Sequence, residues 1–284
     1  MNALKPVGRA FADARLQILA RPLVFLAVWF LLTLLPQLIL GFAFQETMNA
    51  ALDTLFRALA AGGDPGQLSP EDLDIIARGF RVMVVMILVM ALLAVYLGSV
   101  LAGIVHRFRD RSMPNLASAL QDGLRRFPGF LRAVLAAVLR ILMLVIPGYL
   151  VGIALGVMLG DPLLMPIALM GLMAFVGFLH FGLGPFIHLA LGLSGSDSVK
   201  LSRVYYRTHR PLVSGLFLAI VLLPMVVIST LNNLVIRSEV LYGVGVVILG
   251  LLQSIALFAA AVVYINFAMN AFPPDPDSEL DPSL

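Results

Sequence analysis

Ser198-Val199-Lys200-Leu201-Ser202-Arg203-Val204-Tyr205-Tyr206-Arg207-Thr208-His209-Arg210-Pro211 opens the stretch whose reading sets the fold. Lys200, Arg203, Arg207 and Arg210 fall on one side of a helix. Leu201, Val204, Tyr205 and Thr208 fall roughly opposite, at i, i+3, i+4, i+7 spacing. This is the pattern of a helix lying in a membrane interface, its cations among phosphates and its apolar stripe at the acyl boundary. Arg210-Pro211 punctuates it. Leu212 to Val235 follows without a charge, interrupted by Pro224, and is long enough to cross a bilayer.

The same plan can be read twice more. Near the N-terminus, Leu4, Val7, Phe11, Ala14 and Ile18 form a looser stripe with Lys5, Arg9 and Arg15 nearby; Arg21-Pro22 punctuates, and an apolar run with Pro36 follows. In the middle, Leu116, Leu120, Leu124 and Phe127 form a stripe, Arg125, Arg126 and Pro128 punctuate, and the next run contains Pro147. The unit is a cytoplasmic surface helix, a proline-bearing span, an outer turn and a returning span, and internal repeats of this kind are common in membrane folds. The plainer alternative is three ordinary hairpins, each with a basic inner flank.

Composition sets the class. Apolar residues make up 61% of the 284 and charged residues 12%, with a mean hydropathy of +1.00. A soluble surface needs far more charge. The chain is helical in this reading because in hydrocarbon the backbone must satisfy its own hydrogen bonds, and the runs lack the alternation of a membrane barrel. With no cysteine there is no disulfide and no thiolate ligand, and no cofactor is expected. The basic excess is local, so placement explains it better than nucleic-acid binding does. The first apolar run is longer than a secretory h-region and is expected to be a retained span.

The expected fold is an all-α membrane protein of six transmembrane helices, as three hairpin repeats, each preceded by a cytoplasmic amphipathic interfacial helix. The spans are placed at 22–44, 81–105, 130–159, 163–193, 212–235 and 240–270, in a single polytopic domain over 1–270. Residues 271–284 read as a disordered acidic tail. Between the first two spans the chain is mostly acidic. Leu52, Leu55, Phe56 and Leu59 suggest a short amphipathic helix there, and Gly62 to Gly66 a turn. Ser69-Pro70-Glu71-Asp72 is a helix start that runs on into the second span. Gly160-Asp161-Pro162 and the Arg237–Glu239 region are outer turns. The fourth span exceeds a bilayer's need, with Pro166, Gly182, Gly184 and Pro185 as places to bend. The N-terminus, His106–Arg132 and Lys200–Arg210 hold 14 of the 19 Lys and Arg residues. The positive-inside rule therefore puts these segments and both termini in the cytoplasm.

Gly148, Gly152, Gly156 and Gly160 recur every four residues and would let another helix, most simply one of the same chain, approach closely. Arg140 is the only charge well inside an apolar span. It either snorkels to the headgroups or binds a lipid phosphate or substrate anion. His180 and His188 are too far apart to share a helix turn and read as hydrogen-bonded core residues. Asn266 and Asn270, with Gln37, Asn232, Asn233 and Gln253, read as interhelical hydrogen-bonding groups. Asp197 or Ser198 is a candidate N-cap. Arg125, Arg126, Arg132, Arg140, Lys200, Arg203, Arg207 and Arg210 form the candidate set for anionic headgroups on the cytoplasmic leaflet; the alternative is that they only fix topology. No enzyme motif is present: no phosphate-binding glycine loop, no HExxH, no nucleophile elbow.

Ser198-Val199-Lys200-Leu201-Ser202 with Arg207 downstream, Leu68-Ser69-Pro70-Glu71, and Ile146-Pro147-Gly148 give the chain a resemblance to YciC-like bacterial inner-membrane proteins. Leu201 stands where that family has a basic residue and Arg203 where an aromatic is common. The resemblance implies a multi-pass inner-membrane protein and carries no catalytic residue over. The expected role is therefore non-enzymatic: envelope or lipid organisation, with membrane lipids as partners, or membership of a membrane-protein complex. The alternative is a transporter or lipid-translocating protein with a path near Arg140.

Overall fold

A computed structural model describes residues 5–60, 69–159, 164–236 and 242–272. The helices are α1 (Lys5–Ala20), α2 (Pro22–Trp29), α3 (Leu35–Ala60), α4 (Pro70–Arg109), α5 (Leu116–Leu159), α6 (Leu164–Phe181), α7 (Gly184–Leu191), α8 (Gly195–Thr208), α9 (Arg210–Phe217), α10 (Leu223–Ile236) and α11 (Tyr242–Ala271). Five helical runs are long and apolar enough to cross a membrane: Pro22–Ala58, Pro70–Arg109, Leu116–Leu159, Leu164–Leu191 and Ile248–Ala271. The protein is thus helical and multi-pass. The Gly62–Gly66 turn, Gly160-Asp161-Pro162, the Arg237–Glu239 turn and the acidic tail from 273 onward lie outside the described residues.

Several boundaries differ from the expectation. Neither Pro128 nor the Arg125-Arg126 pair breaks α5, which continues for 44 residues through Pro128 and Pro147. A change from amphipathic to apolar composition does not interrupt backbone hydrogen bonding, and proline removes only one such bond. Likewise Leu52, Leu55 and Phe56 lie on α3, a continuation of the first apolar run, because no residue before Ala60 stops the helix. Ser69 does cap α4: its Oγ accepts from the Asp72 N–H at 3.1 Å, and the Asp72 carboxylate accepts from the Ser69 N–H at 3.2 Å. The fourth run turns at Gly182-Leu183, between α6 and α7.

Two segments share a backbone plan. After a bend at Arg21, α2 runs for 8 residues, a five-residue π-helical segment covers Phe30–Leu34, and Leu35-Pro36 follows. After a bend at His209, α9 runs for 8 residues, a five-residue π-helical segment covers Leu218–Leu222, and Leu223-Pro224 follows. Proline clashes with the carbonyl four residues back, which is Leu32 in one case and Ile220 in the other. Both carbonyls sit in the widened turn, the usual way a helix absorbs such a ring. In α5 no such segment precedes Pro147.

Contacts divide the chain into two units, Leu26–Leu97 and the remainder. In the first, α3 and α4 meet where Gly79 faces Ala51, with no room for a Cβ. In the second, burial is concentrated on two stretches that are enclosed on every side, Gly98–Val105 of α4 and Val262–Met269 of α11. A helix apolar and buried all round is a core helix. Around them dock α1 on α11, the start of α5 on α4, and α8 on α5, α6 and α7.

The docking faces are not the large apolar stripes. On α1 the buried residues are Ala10, Ala14 and Gln17, while Phe11 is 44% exposed. At the start of α5 they are Ala119 and Gly123, while Leu124 is 65% exposed. On α8 they are Ser198, Val199 and Ser202, while Val204 is 58% exposed. In lipid there is no hydrophobic gain in turning large side chains inward, so small residues make the close contact and large ones face outward.

Candidate functional site

The site is assembled by α8 lying along α5. Gly195 abuts Ala133, so that a Cβ placed on it would lie 2.9 Å from Ala133 Cα. One turn on, Val199 joins Ala137 and Phe181 in a buried cluster. Both helices advance by four residues between these contacts, so they run parallel and in step. Gly184 of α7 closes on Val199 from the other side. The Ser202 hydroxyl donates to the His180 carbonyl at 2.9 Å, fixing the rotation of α8. With that face held, Lys200, Arg203 and Arg207 project on the other side. The helix starts earlier than the sequence reading had it: Ser194, not Asp197 or Ser198, is the N-cap, its Oγ accepting from the Asp197 N–H at 3.2 Å.

Arg140, Lys200, Arg203 and Arg207 line one cavity of about 240 Å³. Its apolar wall is Phe181, Val199 and Val204. Arg140 comes from α5, sixty residues before the others in sequence, and its side chain is exposed. Lys200 Nζ donates to Asp197 Oδ1 at 3.0 Å. The Ser194 hydroxyl and then Lys200 hold the Asp197 carboxyl below the usual carboxylate range. Among the described residues, no carboxylate or carbonyl lies in bonding reach of the Arg140, Arg203 or Arg207 guanidinium. Three uncompensated guanidinium groups on one apolar-walled cavity can take an anion by forked hydrogen bonds.

The other candidates lie elsewhere. Arg125 and Arg132 are exposed on α5, Arg126 is half-buried near Asp122, and Arg210 begins α9; none lines this cavity. The Arg107 side chain pairs with Asp122 at 2.6 Å, tying α4 to α5. Gly148 and Gly152 face α6: a Cβ would come within 2.5 Å of Met173 Cγ and 2.6 Å of Pro166 Cα. Gly156 is buried on the same side, and Gly160 lies outside the described residues. His180 Nδ1 bonds the Val176 carbonyl and its ring lies tilted against Tyr206, while His188 Nδ1 bonds the Leu193 carbonyl. Among the described residues no three His, Asp or Glu side chains converge.

A second cavity, about 470 Å³, lies between α1, the end of α4 and α11. Its polar groups satisfy one another. Gln17 and Asn266 are paired, Arg109 donates to the Met269 carbonyl and to Asn270 Oδ1, and Asn270 donates to Asp13. That arrangement is a structural lock. Asn266 and Asn270 were legible as interhelical donors; Gln17, Arg109 and Phe181 were not, although Gln17 follows Ala10 and Ala14 at helical spacing.

No known family model, curated protein or solved structure matches this chain.

Proposed function

We infer that the chain is a six-span bacterial inner-membrane protein without catalytic activity of its own, with both termini cytoplasmic, which holds anionic headgroups of the cytoplasmic leaflet at the α5–α6–α8 cavity. Its role lies in envelope or lipid organisation, alone or in a membrane complex. The observation that carries this is the convergence of Arg140 with Lys200, Arg203 and Arg207. It also supports an edge for the hydrocarbon on α5 near Arg140. Ile141–Leu159 is 19 residues without a charge, about 28 Å of helix and enough for a bilayer core. The sixth span in this reading is α9–α10, and the two 8-residue helices α2 and α9, each followed by a five-residue π segment and a Leu-Pro pair, support a repeat relating the first and third hairpins. Membership of the YciC-like group is part of the proposal and rests on the motifs quoted above.

The test is lipid retention by the full chain in nanodiscs of mixed phosphatidylglycerol and phosphatidylcholine. Wild type should enrich phosphatidylglycerol, and the Lys200→Gln/Arg203→Gln/Arg207→Gln/Arg210→Gln variant should not. Equal composition around both proteins would overturn the reading.

A second reading, lipid translocation past Arg140, is favoured by one observation: π segments, which are frequent at functional sites, interrupt the regular α-helix before Pro36 and Pro224 at matching points. Arg140→Leu should then abolish lipid exchange between leaflets in vesicles holding normal protein levels. Vesicles in which wild type exchanges no lipid would remove this reading.

A further inference from the structure

The charge balance of the cavity is specific enough to name a ligand class. Of its four cations, Lys200 is offset by Asp197 at 3.0 Å. Arg140, Arg203 and Arg207 are left with three positive charges and no bonded acceptor among the described residues. A phosphodiester head brings one negative charge and two free oxygens, which answers one guanidinium fork. A phosphomonoester brings up to two charges and three oxygens, and a diphosphate more. The cavity, about 240 Å³, has the volume of roughly eight liquid waters, room for either. The rest of the wall is apolar: Phe181, Val199 and Val204. Leu139, Leu142 and Met143, sequence neighbours of Arg140 on α5, are exposed at 57%, 42% and 67%, an apolar surface of the same helix that acyl chains can cover.

We propose that this cavity selects a phosphate-bearing amphiphile whose head carries at least two negative charges, a phosphomonoester or a diphosphate, over phosphodiester lipids. The proposal rests on the anionic-headgroup reading above and adds a preference that reading does not require. Arg203 and Arg207 supply the selectivity, since they stand one helical turn apart on α8. Arg140 meets the same head from α5.

The full chain, purified in detergent, is equilibrated with equal amounts of phosphatidate and phosphatidylglycerol of matched acyl chains at pH 7.5, and retained lipid is counted by native mass spectrometry. Wild type should retain phosphatidate about tenfold over phosphatidylglycerol, a ratio equal to one decade in dissociation constant. Arg203→Gln/Arg207→Gln should bring the ratio to about one, the value for a site without charge selection. Thr208→Ala, exposed on the same helix and outside the cavity lining, should keep it, which separates a specific loss from general damage to α8. Equal, arginine-dependent retention of both lipids overturns the proposal and leaves the headgroup reading standing. Retention of neither lipid overturns both. In a further arm, pyrophosphate is added at the lipid's own concentration. Unchanged phosphatidate retention supports a membrane amphiphile, and displacement of the lipid overturns it in favour of a soluble phosphorylated molecule.

Discussion

Gln17 and Asn266, 249 residues apart, hold each other by two hydrogen bonds: Gln17 Nε2 donates to Asn266 Oδ1 at 3.0 Å, and Asn266 Nδ2 donates to Gln17 Oε1 at 2.9 Å. Both side chains are buried, so each is the other's replacement for water. This pair fixes α1, the first helix, to the enclosed half of α11. Asn270, one turn on, donates to Asp13 across the same two helices, and the buried Ala10 and Ala14 of α1 allow close approach but supply little direction.

Removing one member should therefore cost more than removing both. Gln17→Leu or Asn266→Leu strands a buried amide, at about 1–3 kcal/mol, whereas replacing both should recover much of the loss. Thermal unfolding of the two single variants and the double variant, read as a cycle, measures this coupling. Additive losses would show that the pair does not act as a unit.

The α5–α6 contact makes an opposite use of side chains. Gly152 has no space for a Cβ because the backbone at Pro166 and Met165 fills it. Gly152→Leu should destabilise the chain by about 1–3 kcal/mol through overpacking. Gly171, exposed on α6 with nothing within 4 Å, is the matched control. Gly171→Ala should be neutral or stabilising by up to about 1 kcal/mol. The difference in melting temperature between the two variants decides the matter.

The α4–α5 turn is tied by Arg107 and Asp122 at 2.6 Å, with both side chains partly exposed. Solvent screening limits what such a pair contributes. Asp122→Asn should lower stability by about 1 kcal/mol at low salt and by less at high salt, where the charge is screened. A loss that does not shrink with added salt would point to packing at Gly103 instead, which Asp122 also touches.

Ser194 sets where α8 begins, and with it the placing of Lys200, Arg203 and Arg207. Ser194→Ala should cost about 1 kcal/mol, concentrated at the first turn, and should speed amide exchange at Asp197 relative to its intrinsic rate. The Asp197 carboxyl sits below its usual range, first through the Ser194 hydroxyl and then through Lys200. A depressed carboxylate gives stability that is full above its unfolded value, about 4, and lost only as pH falls through the lower folded value. The start of α8 should accordingly be insensitive to pH from 8 down to 5.

Much of this was open to reading from residues. The Ser69-Pro70 start of α4, the Gly148–Gly156 contact and the basic character of α8 all rest on local spacing, which a linear chain displays. The protein-facing sides of α1, α5 and α8 were not picked out, for one physical reason. The i, i+3, i+4 spacing marks the large apolar stripe, read here as facing the acyl boundary, and says nothing of which small residues pack against protein. Beside lipid, Phe11, Leu124 and Val204 have no reason to turn inward, and Ala14, Gly123 and Ser202 take the contact. The company of Arg140 was not legible because it depends on how α8 returns along α5, a relation between segments sixty residues apart. Ser194 escaped because Asp197 and Ser198 are equally good caps by residue type.

The chain has no cysteine, so single thiols can be introduced without background. Arg140→Cys and Arg203→Cys in the full chain, treated with a membrane-impermeant anionic thiol reagent from either side of sealed vesicles, test directly whether the two positions share one cavity open to the cytoplasm. Both should react from the cytoplasmic side alone. Reaction from the opposite side, or an Arg140→Cys thiol inert from both sides while Arg203→Cys reacts, would contradict the site.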